Sequence, residues 1–253
     1  MEQIEIGLML PGAKRFNDQN MNPTWKTHVK THDSIVVAYV KRISHRKLFV
    51  ECVCSVLGRH LGLPIPKPLI IKITNENFKD IPISKYELAF GSEDAGYPSF
   101  RRYLKNNEAM KKLKNFSKTL DVGVFDEWIA NWDRNVGNIL YDGSEKFSFI
   151  DHENAIDPTL KPGDPAKSNQ IISALYVAQS EFEKHKINRD VQSTIISQYR
   201  LCSCSLLSEK TYASSYLDES QIISVIDFLV KRLDNLKNLF EDRLCIRQKK
   251  IAL

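Results

Sequence analysis

The stretch Val124–Asn154 constrains the fold of this chain more than any other part of the sequence. It begins with an amphipathic pattern that is typical of a helix. Four polar side chains then follow close together, ahead of a short apolar strand: Asn131, Asp133, Arg134 and Asn138. Acids and amides gathered between a helix and a strand indicate a loop that carries chemistry.

A second short strand, predicted at Phe147–Ile150, leads directly into Asp151 and His152. Phosphoryl transfer from a nucleotide needs one carboxylate to orient the attacking hydroxyl, and an amide with a second carboxylate to hold magnesium. Asp133, Asn138 and Asp151 supply these groups in that order. Asp133 and Asn138 are five positions apart, which is the D-x-x-x-x-N spacing of a kinase catalytic loop. The stretch therefore predicts the catalytic half of such a site.

Two charged residues upstream are candidates for the other half. The β-branched segment Ser34–Lys41 predicts a central strand that ends on Lys41, and His45–Leu61 has the 3.6-residue apolar periodicity of a helix. Glu51 lies beside that apolar stripe, where a carboxylate needs a cationic partner. Lys41 and Glu51 form an ion pair in this interpretation. In the alternative, Lys41 is a rim residue and Glu51 a surface charge.

The predicted elements form an α+β fold of two lobes, residues 1–90 and 91–253. The smaller lobe has one helix and an antiparallel sheet of the strands Ile4–Leu10, Trp25–Lys30, Ser34–Lys41, Leu69–Ile73 and Ile81–Phe90. Pro11–Asn22 is predicted as a loop and Gly91–Pro98 as the connector between lobes, because both are rich in turn residues. The larger lobe is mainly helical, with predicted helices at Ser99–Asn106, Glu108–Lys118, Leu120–Ala130, Gln170–Phe182, Asp190–Leu201 and Asp218–Leu244.

Composition narrows the class of protein further. The net charge of +5 is modest, and its basic clusters fit solvated helix faces better than a nucleic-acid site: Lys111, Lys112, Lys114 and Lys118, then Arg243, Arg247, Lys249 and Lys250. No apolar run approaches the roughly 20 residues that cross a bilayer, so we expect a cytoplasmic protein without membrane contact. The five cysteines are expected to be reduced thiols.

These motifs resemble one known family, the HipA-like kinases and in particular their small stand-alone domains. The similarity rests on NWDRNVGNILYD at 131–142 and FIDHENAI at 149–156, with support from ECVC, LGRHLGLPIPKP and ELAFGSEDAGYPSF. It covers about residues 34–160. The resemblance implies a protein-kinase-like fold, ATP and Mg²⁺ as cofactors and a serine or threonine hydroxyl of an unknown protein, or of the chain itself, as acceptor. A toxin–antitoxin role with a small DNA-binding antitoxin as partner would also follow from the family.

Carried onto this sequence, the resemblance implies a role for each candidate residue. Asp133 would be the catalytic base, Asn138 and Asp151 would bind magnesium, and Lys41 would hold the phosphates with Glu51 orienting it. Asn131 and Arg134 would brace the loop, and His152 would pack beside the metal. The backbone near Tyr86, Leu88 and Phe90 would meet adenine. No G-x-G-x-x-G motif is present, so Lys14 and Arg15 of the early loop are the candidates for covering the phosphates.

Two other functions remain open. The D-R-x-x-x-N-I-L…I-D arrangement is also similar to phosphoinositide kinases, so a lipid or small-molecule kinase would use the same residues on a different acceptor. The segment Asp157–Ser168 offers Lys161 and Lys167 but no large apolar tip for a membrane. The missing glycine loop motivates the second alternative, a nucleotide-binding pseudokinase that acts as a binding module.

Overall fold

The computed structural model describes residues 1–16 and 23–246. An N-terminal six-stranded sheet has the order β1-β5-β6-β4-β3-β2. Its strands are β1 (Glu5–Met9), β2 (Lys14–Phe16), β3 (Thr24–Lys30), β4 (Ile35–Lys41), β5 (Pro68–Thr74) and β6 (Tyr86–Glu93). All neighbours are antiparallel except β1 and β5, and β1 also pairs with β3 through Leu8 and Lys30. The sheet therefore curls back on itself.

One long helix, α1 (His45–His60), lies against the sheet and bears Glu51. The Ser44 side chain caps its first turn by accepting from the backbone N–H of Lys47, and Gly62 with φ +74° follows its end. Every residue from Leu48 to Gly58 is buried. The middle of the helix is enclosed on all sides because it packs against β5 and β6 and also against the helical region.

The helical region follows β6 and contains a second small sheet. Its helices are α2 (Asn107–Asn115), α3 (Thr119–Trp128), α4 (Gln170–Leu175), α5 (Glu181–Asp190), α6 (Ser197–Tyr199), α7 (Leu207–Lys210) and α8 (Glu219–Arg243). The antiparallel pair β7 (Ile139–Tyr141) and β8 (Phe147–Phe149) stands between α3 and α4. Helix α8 closes the core against α3, where the Trp128 indole donates to the Leu229 carbonyl at 2.9 Å. The predicted α+β architecture is confirmed.

Several predicted boundaries are wrong. The last strand of the large sheet runs over Tyr86–Glu93 and not Ile81–Phe90, so the first residues of the predicted connector belong to it. The predicted helix Ser99–Asn106 is only a 3₁₀ turn at Phe100–Tyr103. The predicted helix Gln170–Phe182 is too long, because α4 ends at Leu175. The predicted helix Asp190–Leu201 is not a separate element, because α5 continues through a π-helical segment, Val191–Ile196, into α6.

Some predictions fall partly or wholly outside the described residues. Residues 17–22 of the predicted loop Pro11–Asn22 lie there, while Lys14–Phe16 of the same segment form β2. Arg247, Lys249 and Lys250 of the basic tail also lie outside. The lobe boundary at residue 90 stays a prediction, since one hydrophobic core joins α1 to α8. Among the described helices, none has the length and apolar character that crossing a membrane would require. All five cysteines are free.

Candidate active site

A cleft of about 380 Å³ opens where the large sheet meets the helical region. The ends of β3, β4 and β6 line one side, and the loop before β7 and the residues after β8 line the other. Lys41, Glu51, Asn138 and Asp151 all face it, although they come from four separate parts of the chain. The fold thus brings the upstream cation and the downstream acids into one site.

Lys41 is the electrostatic centre of this cleft. Its Nζ lies 2.7 Å from Asp151 Oδ1, 3.4 Å from Glu51 Oε1 and 3.6 Å from Glu153 Oε2. Burial alone lowers the pKa of Lys41, but the three carboxylates outweigh burial and raise it. Lys41 is therefore a fixed positive charge. The predicted pair with Glu51 is present, and the shorter contact to Asp151 was not foreseen.

Glu51 connects α1 to the segment that follows β8. Its Oε2 accepts from the backbone N–H of His152 at 3.0 Å, and the His152 Nδ1 atom lies 3.5 Å from the same oxygen. Burial by itself raises the pKa of Glu51, but Lys41 and the contacts to His152 lower it overall. Asp151 adopts φ +69°, a left-handed conformation that is uncommon for aspartate. The hydrogen bond from the backbone N–H of His152 to Glu51 helps to hold the Asp151 backbone in this conformation.

His152 is buried and packs edge-on against Phe125, with ring centroids 6.3 Å apart. Among the described residues, neither ring nitrogen has a hydrogen-bond partner. His152 thus lies beside the acidic cluster in a packing position, and its place beside a metal stays a prediction.

A buried network holds the loop that carries Asp133. The Arg134 guanidinium donates to both carboxylate oxygens of Asp126 at 3.0 Å, and neither side chain is exposed. Arg134 also donates to the backbone carbonyls of Asn138 and Ile150. The Asn131 amide donates to Asp126 at 3.0 Å. Arg134 thus joins helix α3, the loop and the end of β8, and so fixes Asn138 relative to Asp151.

Asp133 lies beside the residues that line the cleft and is linked to them through Asn138. The Asn138 side-chain amide donates to the backbone carbonyl of Asp133 at 2.8 Å. The Asp133 carboxylate accepts one hydrogen bond on each oxygen, from Asn135 at 3.2 Å and from Asn154 at 3.0 Å. The donor role of the Asn138 nitrogen leaves the amide oxygen as its remaining polar group.

The oxygen donors around Lys41 suit a hard divalent cation. Carboxylate oxygens of Glu51, Asp151 and Glu153 lie within 4.8 Å of one another. Asp151 is the most accessible of the three, with 26% of its side chain exposed against 0% for Glu51 and 4% for Glu153. Oxygen ligands from carboxylates and amides are those that Mg²⁺ prefers. Lys41 and His152 occupy both oxygens of Glu51, whereas Lys41 contacts Asp151 through Oδ1, which leaves Oδ2 toward the cleft. Asp151 with Asn138 therefore fits magnesium better than Glu51.

Four residues predicted to bind nucleotide do not line the cleft. Tyr86 is 57% exposed at the far end of β6, and Leu88 packs against the large core. Lys14 and Arg15 lie on the exposed strand β2. Phe90 does line the cleft, where it is followed by residues that the sequence analysis missed: Ser92, Glu93, Asp94, Ala95, Gly96 and Tyr97.

Comparison with known proteins supports the class of protein that this geometry indicates. A model of the HipA-like kinase family matches residues 30–203, so the chain belongs to the HipA-like kinases. The crystal structure of a Helicobacter pylori proinflammatory kinase, CtkA, is similar in fold. It has a TM-score of 0.58 and 13% sequence identity over 94% of this chain and 96% of the other. Comparison with curated protein sequences gives no match.

Proposed function

We propose that this HipA-like kinase transfers the γ-phosphoryl group of ATP, with Mg²⁺, to a serine or threonine hydroxyl of a protein or of itself. The observation that carries the proposal is the position of Lys41. Its ammonium group meets Asp151 from beyond β8 and Glu51 from α1 in the same cleft that Asn138 lines. A kinase holds its nucleotide with four parts in one cleft: a lysine, a helix glutamate, an amide and an acid.

Each residue then has a task that follows from its contacts. Lys41 binds nucleotide phosphate, and Glu51, which is fully buried, holds the ammonium group in the cleft. Asn138 and Asp151 provide the oxygen ligands for magnesium, which neutralises negative charge on the phosphates when bound. Asp133 accepts the hydrogen bond of the acceptor hydroxyl and takes its proton as the phosphoryl group transfers.

Nucleotide phosphate is a suitable partner for Lys41 because the lysine stays charged. The three carboxylates that surround it raise its pKa, so its charge persists across the working pH range. The acidic excess of the cluster also attracts a divalent cation. The adenine would be met by the end of β6 and the residues after it, from Ser92 to Tyr97, because these line the cleft.

The first test is transfer of radiolabel from γ-labelled ATP to protein substrates in the presence of magnesium. Asp133→Asn should lower the transfer rate by about 10²- to 10⁴-fold, which is the usual contribution of general base catalysis. Asp234→Asn is the matched control, since that carboxylate is exposed on α8. Equal transfer by wild type and Asp133→Asn would refute the assignment of the base.

A thermal unfolding titration with Mg-ATP separates a kinase from a pseudokinase. A ligand that binds only the folded state raises the unfolding temperature. Stabilisation without turnover would favour the pseudokinase, and transfer to phosphoinositide vesicles without transfer to protein would favour a lipid kinase. Stabilisation together with label on serine or threonine is the result expected here.

A further inference from the structure

The side chain of Asn154 reaches the carboxylate that the proposed function uses as base. Its Nδ2 donates to Asp133 Oδ2 at 3.0 Å, across 21 residues of sequence. The other oxygen of Asp133 accepts from Asn135 Nδ2 at 3.2 Å. Asn135 belongs to the same loop as Asp133, whereas Asn154 lies beyond β8, in the segment that begins with Asp151.

The orientation of the Asn154 amide follows from the chemistry of its two partners. Lys47 Nζ lies 3.2 Å from Asn154 Oδ1, and an ammonium group can only donate. An ionised carboxylate can only accept, so the amide nitrogen has to face Asp133. A flipped amide would oppose donor to donor and acceptor to acceptor. Asn154 is therefore held in one orientation by a cation on one side and an anion on the other.

Lys47 extends this chain of contacts to helix α1. The same ammonium group lies 3.5 Å from Glu153 Oε1, and Lys47 is one helical turn from Glu51. Glu51 in turn holds Lys41. One helix thus supports both halves of the site: Glu51 contacts the lysine, and Lys47 contacts the residue that binds the base.

The two amides leave the Asp133 carboxylate ready for an acceptor. Each carboxylate oxygen has two lone pairs, and one donor occupies one of them on each oxygen. One lone pair on each oxygen therefore remains for a hydroxyl. The donors on the two sides also restrict rotation of the carboxylate about its terminal bond, so its free lone pairs keep a fixed direction.

We infer that Asn154 is a positioning residue, which orients the Asp133 carboxylate toward the acceptor hydroxyl and is itself oriented by Lys47. The inference rests on the proposed function, because it assigns Asn154 a role through the proposed base. It concerns the rate of transfer and not the binding of ATP, since Asn154 is not among the residues that line the cleft.

The test measures kcat and the KM for ATP separately in Asn154→Ala and Asn154→Asp. The aspartate variant keeps the shape of the side chain and an acceptor for Lys47 but has no donor for Asp133. We expect kcat to fall about 10- to 100-fold in both variants, which is the cost of losing a charged hydrogen bond that aligns a reacting group. In Asn154→Ala the KM for ATP and the unfolding temperature should stay close to those of wild type; this expectation does not extend to Asn154→Asp, which brings a second carboxylate against Asp133. Asn107→Ala, on the exposed surface of α2, is the matched control.

Combination with Asp133→Ala separates positioning from a general structural effect. If Asn154 acts through Asp133, adding Asn154→Ala to Asp133→Ala should cause no further loss, because groups that act as a unit are not additive. Additive losses, a change confined to the KM for ATP, or wild-type kcat in Asn154→Asp would each overturn the inference while wild type remained active. A wild-type chain that transfers no phosphate would overturn the proposed function, and the inference with it.

Discussion

Replacing Arg134 by methionine should remove a large part of the stability of this protein. The guanidinium makes two hydrogen bonds of 3.0 Å to Asp126, and both side chains are 0% exposed. Methionine preserves most of the apolar volume beside Phe149, so the change isolates the loss of charge and hydrogen bonds. It leaves the Asp126 carboxylate buried with only the Asn131 amide as its side-chain donor among the described residues.

The expected loss follows from the burial of this pair. Removing one partner of a fully buried ion pair costs about 3–5 kcal/mol of unfolding free energy, out of the roughly 5–15 kcal/mol of a typical domain. For a chain of this size, that loss lowers the unfolding temperature by about 6–20 °C. The backbone carbonyls of Asn138 and Ile150 also lose their donor, so we expect a loss of unfolding free energy at the upper end of this range.

Urea unfolding followed by circular dichroism measures this loss directly. Arg200→Met is the control, because Arg200 and Asp234 form an exposed pair at 3.6 Å that contributes at most about 1 kcal/mol. Adding Asp126→Leu to Arg134→Met should recover part of the loss, since the unpaired buried charge is then removed. If Arg134→Met cost no more than Arg200→Met, the network would not hold the loop and the reasoning would be refuted.

Two further predictions concern the sheet and its helix. The pKa of Glu51 is lowered in the folded state, so its stabilisation is present above the ordinary value of 4.5 and is lost as the pH falls below it. Glu51→Gln should therefore reduce the pH dependence of the unfolding free energy on the acidic side, and a dependence equal to that of wild type would contradict the expectation. Gly91→Ala places a methyl group against Ile71 in the sheet and should cost about 1–3 kcal/mol in urea unfolding. Gly163→Ala is its control because the added carbon meets only ordinary contacts, and equal stabilities of the two variants would argue against the clash.

The sequence located the strands and helices that carry the candidate residues because the signals for these elements are local. Alternating and 3.6-residue patterns located β4, α1, β8 and α8 to within about two residues. The order of charged and amide residues then identified Lys41, Glu51, Asn138 and Asp151, and the fold brings all four to one cleft. Their roles in catalysis remain proposals.

Tyr86 and Leu88, which were predicted to meet adenine, do not line the cleft, because the predicted strand ended before Gly91 and the observed strand runs on to Glu93. Gly91 continues β6 opposite Leu69, and its missing side chain makes room for Ile71 on the neighbouring strand. This requirement depends on a partner twenty residues away and is not visible locally. Because the observed strand begins and ends later than the predicted one, Tyr86 and Leu88 lie away from the cleft and Ser92 lines it.

One wrong helix boundary has a clear signal in the sequence, whereas one contact in the site has none. Ser180 and Glu183 form a capping box, the S-x-x-E pattern that marks the start of α5, so the helix could have been divided there from the sequence. The contact between Asn154 and Asp133 joins two loops through tertiary structure alone. Residue spacing could not predict it.

The burial of the middle of α1, from Leu48 to Gly58, makes a movement of this helix costly. Many kinases are switched by moving the helix that carries the glutamate partner of the lysine. Here the residues from Leu48 to Gly58 are buried without interruption. Exposing even half of the eight apolar side chains among them would cost roughly 6–12 kcal/mol, which is comparable to the whole stability of a domain. A swing of α1 away from the core would therefore cost about as much as unfolding the domain.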